Sequence, residues 1–156
     1  MNRIASTFVV AILAACLTSC SSLETKTGTY PTMERAHAAG DVQALSIPGY
    51  LPETASDVAW QYNLDSHETW LGFRTPASSR GFLVEHCRGI AARDTVFPQG
   101  ERPNWWPSVL PGEDAGSGAY SVWSCDDHVA NGQGHPLGKC FVAVREGDEH
   151  VWFWRV

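Results

Sequence analysis

The chain has 156 residues, 44% hydrophobic and 18% charged, which suits one globular domain and is too apolar for a disordered chain. A formal net charge of −6 argues against a nucleic-acid partner, which would need a basic face. It also leaves no polybasic patch for an anionic membrane surface, so any membrane attachment must come from elsewhere.

The N-terminus supplies that attachment. Met1-Asn2-Arg3 is a short basic segment, and Ile4 to Ala15 is an apolar run broken only by Ser6 and Thr7. The run is too short to span a bilayer, which takes about 20 apolar residues. It fits the apolar region of a secretory leader. Leu17-Thr18-Ser19-Cys20 then resembles the lipobox of bacterial lipoproteins. That resemblance implies cleavage before Cys20 and a diacylglycerol on its thiol. Leu13-Ala14-Ala15-Cys16 matches the same pattern, but cutting there leaves a very short leader, so Cys20 is preferred. Residues 1–19 are the expected signal peptide. Losing them removes Arg3 and no acid, which leaves the mature chain one unit more negative.

Residues 20–30 read as a flexible lipidated tether, being rich in Ser and Thr without an apolar period. By the same lipoprotein resemblance, Ser21 after the lipid cysteine goes with export to the periplasmic face of an outer membrane. A single domain is expected over residues 31–156. Thr32 caps a helix through Ala39, stopped by Gly40. Pro52 suits the first position of another, because its missing N–H has no partner there. Ala55, Val58, Ala59 and Tyr62 follow at helical spacing, with Asn63 as the stop.

Glu68 to Thr75 alternates as a strand, ended by Pro76. Ser78 or Ser79 caps a further helix carrying Phe82, Leu83, Cys87 and Ile90, with Gly89 near its end. Residues 91–118 hold many Pro and Gly and no period, and long irregular stretches of compact domains are often functional. Ala119–Cys125, Lys139–Arg145 and His150–Val156 read as strands. The last two form a hairpin across Glu146-Gly147-Asp148-Glu149, with Val144 opposite Val151 and Val142 opposite Phe153. The other side of that hairpin carries Phe141, Ala143, Trp152 and Trp154, so both faces need cover. The expected fold is α+β: an antiparallel sheet of about four strands, two packed helices and a C-terminal hairpin.

The run Ile47 to Val58, the run Asn63 to Phe73, Trp105-Trp106-Pro107 and the aromatic C-terminal strand resemble a loose group of uncharacterised bacterial envelope lipoproteins. The similarity spans most of the mature domain. It implies no activity and carries over no catalytic residue.

Three cysteines remain beyond the leader and Cys20. An exported chain can keep one disulfide among them. Cys125 and Cys140 flank a loop of about 15 residues, and bridging it is worth roughly 3 kcal/mol in the chain-entropy model. Cys87 is then a buried thiol on the helix, the rival being a bridge from Cys87 to one of the strands. His86 beside Cys87 makes a poor nucleophile pair, because helix neighbours point about 100° apart. Asp126-Asp127-His128 with His135 offers metal-ligand types at no established spacing, so a solvated loop is the simpler reading and no metal or other cofactor is expected. The run before Gly138-Lys139 is no phosphate loop: its lead begins at Gln133 and Cys140 stands where Ser or Thr would hold Mg²⁺.

Seven tryptophans imply either a bulky core or a binding surface. Trp105 and Trp106, adjacent on an irregular stretch, are the candidate stacking platform. The competing reading has both indoles plugging an open sheet face. The expected function is a non-catalytic, membrane-anchored envelope module that binds another envelope protein or a cell-wall component. The alternative is a small hydrolase acting on an envelope substrate through groups such as Asp65, His67 and Glu68.

Overall fold

The computed structural model describes residues 25–40, 49–108, 110, 120–125 and 138–156. Over these the chain forms one antiparallel sheet of seven strands: β1 Thr25–Thr32, β2 Ser56–Asn63, β3 Thr69–Arg74, β4 Cys87–Ile90, β5 Tyr120–Cys125, β6 Cys140–Arg145 and β7 His150–Arg155. Their spatial order is β1-β2-β3-β7-β6-β5-β4. Two six-residue helices, α1 Met33–Ala38 and α2 Gly81–His86, and two single 3₁₀ turns complete the described elements. The expected sheet of about four strands with two substantial helices is therefore corrected to a seven-stranded sheet with little helix.

The largest correction is β2. Val58, Ala59 and Tyr62 match helical spacing, but Trp60 does not, and it is the bulkiest apolar residue there. Val58, Trp60 and Tyr62 are buried on one side while Ala59 and Gln61 stay partly exposed, a period of two. Burying an indole outweighs the weak helical pattern. Asp57, at a positive φ of 50°, sits in the irregular pairing between Ser56 and Ala59.

β1 was expected as tether. Thr25–Tyr30 instead pair with β2, with Gly28 opposite Trp60. A Cβ at Gly28 would fall 2.6 Å from the Trp60 ring, so the missing side chain makes room for that indole. The capping expectation holds for α1: Thr32 Oγ1 accepts the Arg35 N–H at 3.3 Å, and Gly40 follows at φ +81°. The third helix expected from the sequence shrinks to α2, and Cys87 leaves it to begin β4.

The remaining strands lie close to where the alternation puts them. In the C-terminal hairpin Val144 pairs with Val151 and Val142 with Phe153, and Gly147 takes a positive φ of 76° in the turn. Arg80 clasps that turn, donating to the carbonyl oxygens of Asp148 and, at 3.2 Å, Thr75.

Both faces of the sheet are covered. On the first, Trp60, Leu71, Phe153 and Val142 lie in one row across four strands, under α1, α2 and Leu51. On the second, Trp70, Trp154 and Phe141 form a row. Its cover is the irregular strap of residues 91–108, together with Leu110.

Candidate functional site

Two features tie the strap to the second face. Glu68, at the entry to β3, accepts the backbone N–H groups of Gln99 at 2.7 Å and Gly100 at 3.1 Å. Trp154 donates its indole N–H to the Val96 carbonyl at 2.7 Å while its ring stacks on Phe97 at 4.8 Å. These contacts satisfy backbone groups that a folded-back loop would otherwise leave short of partners.

The anchored strap separates the two adjacent tryptophans. Trp106 is 5% exposed and meets Trp70, Trp152 and Trp154 edge-on, at centroid distances of 4.7, 5.3 and 6.1 Å. This indole is core, and its role as a binding platform is withdrawn. Trp105 is half-buried. It lies over Gly72, where a Cβ would come within 3.2 Å of its ring, and stacks beside Trp152 at 6.5 Å.

The outer side of Trp105 walls a cleft of about 540 Å³ between the strap and the β1–β2 edge of the sheet. That volume falls within the range of about 300–1,000 Å³ usual for small-molecule sites. Thr27 and Gln61 are directly paired across β1 and β2 and share the second face with Thr29. From the strap come Glu101, Arg102 and Asn104. Gln61 Nε2 donates to the Glu101 carbonyl at 2.7 Å, which fixes the amide and joins the two sides. The Arg102 guanidinium sits 6.0 Å from the Phe97 ring centre, so it extends along the strap's apolar side.

The aromatic wall continues away from the cleft. Trp152 stacks on His150 at 5.7 Å with ring planes 5° apart, and His150 Nδ1 meets Asp148 Oδ1 at 2.8 Å. Hydrogen bonds from the backbone and side chain of His150 hold the Asp148 carboxyl below its usual range. Arg74 alongside pairs with Glu149 at 2.8 Å and Asp57 at 3.6 Å.

The residues named for a hydrolase do not converge. Glu68 holds the strap. Asp65 lies in the β2–β3 turn, where its backbone N–H donates to Asn63 Oδ1 at 2.9 Å. His67, at φ +59°, meets the Tyr62 hydroxyl through Nδ1 at 2.6 Å. Burial raises the pKa of that hydroxyl and nearby Arg155 partly offsets the effect. Tyr62 belongs to the core on the first face, away from the Trp105 cleft.

The disulfide joins Cys87 to Cys125 and not Cys125 to Cys140. Once Cys87 starts a strand it stands directly opposite Cys125, with Cα atoms 4.0 Å apart. Cys140 faces Cys125 from β6 and is fully buried outside the bridge. Without β4 in the sequence reading, Cys140 was the only strand neighbour Cys125 had. The bridge removes Cys87 as a nucleophile, and His86 stacks on Tyr50 at 4.5 Å. Cys16, Cys20 and the loop with Asp126, Asp127, His128 and His135 lie outside the described residues.

The cleft-lining residues Thr27, Thr29 and Gln61 were missed from sequence, because β1 was read as tether and β2 as helix; Glu101 and Asn104 lie in the irregular stretch of residues 91–118 but were not singled out there. Trp105 and the irregular stretch around it were the signals of the site in sequence. No family model, curated protein or solved structure matches the chain, so the cleft's own geometry carries the functional reading.

Proposed function

We propose that this chain is a lipid-anchored envelope protein whose folded domain binds another envelope component through the Trp105 cleft. The anchor rests on the lipobox ending at Cys20 and the short apolar leader before it. The observation that carries the binding role is one half-buried indole, packed on Gly72 and Trp152, beside a cleft of about 540 Å³ lined by hydroxyl, amide and charged groups. Aromatic side chains presented this way lose little entropy on binding and dominate the energy of many recognition surfaces. The module acts by capture and positioning at the membrane, on the periplasmic face of an outer membrane if Ser21 directs sorting.

The test is capture from solubilised envelopes by the full-length lipidated protein, wild type against Trp105→Ala. The expected result is a set of retained components lost in the variant, which stays folded with a thermal midpoint lowered less than that of Trp106→Ala. Equal retention by both proteins would remove the cleft from the function.

A further inference from the structure

We infer that the Trp105 cleft is a saccharide subsite that takes a neutral, N-acetylated sugar ring. This inference rests on reading the cleft as the binding surface and names the ligand class.

Four features of the cleft lead there. First, its aromatic wall is the half-buried indole of Trp105, with Pro103 beside it. A pyranose offers one face of C–H groups and a rim of hydroxyls, which matches a lone aromatic ring with polar groups around it. Second, the polar groups suit that rim. Thr27 and Thr29 bring hydroxyls that both donate and accept, and Asn104 and Gln61 bring amides. An acetamido group carries one N–H donor and one carbonyl acceptor, the complement of a side-chain amide.

Third, the charge balance disfavours an anionic ligand. Glu101 and Arg102 adjoin one another with opposite signs, and the chain as a whole is at −6. A polyanionic glycan would approach against that field. Fourth, the cleft lies on the face of the sheet. A peptide that extends a sheet pairs with the backbone groups of an edge strand, whereas side chains from β1 and β2 line this cleft. Gln61, its amide tied to the Glu101 carbonyl, and Trp105, seated on Gly72, are set before any ligand arrives. Pre-set groups cost less to order on binding.

The experiment follows the seven indole N–H signals of the full-length protein in detergent by NMR, with the Trp105 signal assigned by its loss in Trp105→Ala. The probes are the N-acetylglucosamine tetramer, its fully N-deacetylated counterpart and an extended octapeptide. The acetylated tetramer should shift the Trp105 signal saturably. Thr27→Ala and Asn104→Ala, both at exposed positions that leave the fold intact, should each weaken binding about fivefold to tenfold. The deacetylated tetramer should bind more weakly. No saturable shift with the acetylated tetramer up to about 10 mM, or equal or tighter binding of the deacetylated one, overturns the inference. A saturable shift of Trp105 by the octapeptide alone overturns it in favour of a peptide ligand. If the sugar fails while envelope capture still depends on Trp105, the saccharide assignment falls and the binding module stands. If capture is also indifferent to Trp105, both fall.

Discussion

Glu68 holds Gln99 across 31 positions of sequence: its carboxylate accepts the Gln99 backbone N–H at 2.7 Å and, with its other oxygen, that of Gly100 at 3.1 Å. This contact lies a few residues before Trp105 and sets where the strap turns back over the sheet. Glu68→Ala should cost about 1 kcal/mol, near the low end for hydrogen bonds to a charged acceptor because the group is partly solvated. Amide exchange at Gln99 and Gly100 should speed up. Glu68→Gln, which keeps one acceptor oxygen, should fall between. Unchanged exchange in Glu68→Ala would show that the strap is held by its apolar contacts alone.

The two adjacent tryptophans should respond differently. Trp106, 5% exposed among Trp70, Trp152 and Trp154, should cost about 3–5 kcal/mol when changed to Ala. Trp105→Ala leaves a smaller loss, because part of the ring already faces solvent. Chemical denaturation of the two single variants measures both. Equal losses would mean that Trp105 is as much core as its neighbour.

Gly72 is a sensitive position for the cleft. A methyl group there would meet Trp152 at 2.7 Å and Trp105 at 3.2 Å. Gly72→Ala should destabilise by about 1–3 kcal/mol through overpacking and displace the Trp105 ring. The indole N–H of Trp105 should shift in the NMR spectrum of the unliganded variant. A spectrum superimposable on wild type would contradict the packing described here.

Non-reducing peptide mapping should find Cys87 joined to Cys125. The bridge closes a separation of 38 residues, worth about 4 kcal/mol in the chain-entropy model. Reduction should therefore lower the denaturation midpoint substantially. A Cys125–Cys140 peptide would mean that β4 is not paired with β5 in solution.

Acid should act on the hairpin turn through Asp148. Its folded-state pKa lies below the ordinary value because His150 hydrogen-bonds the ionised carboxylate. A lowered pKa contributes stability that is fully present above the unfolded value and disappears as pH falls through the folded one. Asp148→Asn should flatten that part of the acid limb in pH-dependent unfolding and leave the neutral region little changed in slope. The side chain is partly solvated, so the effect should be small and should shrink further in high salt.

Local pattern alone determined the C-terminal hairpin: the period of two from Cys140 to Arg155, the turn at Gly147 and the need for cover on both faces are all legible in sequence. It also located β3, the α1 cap at Thr32 and Trp105 as a residue of interest. What it misassigned was decided by contacts far apart in the chain. Residues 56–63 fit a helix locally and became β2 because Trp60 finds a slot at Gly28 and a neighbour at Leu71. Thr25–Thr32 has little apolar content of its own and is a strand only because β2 offers it an edge. Cys87 changed partner for the same reason, since β4 exists by pairing with β5. The cleft follows from these pairings: Thr27 and Gln61 become neighbours across two strands, and Glu68 sets Trp105 beside them. Burial and cross-strand pairing outweigh local propensity, and neither is visible until the strands are assembled.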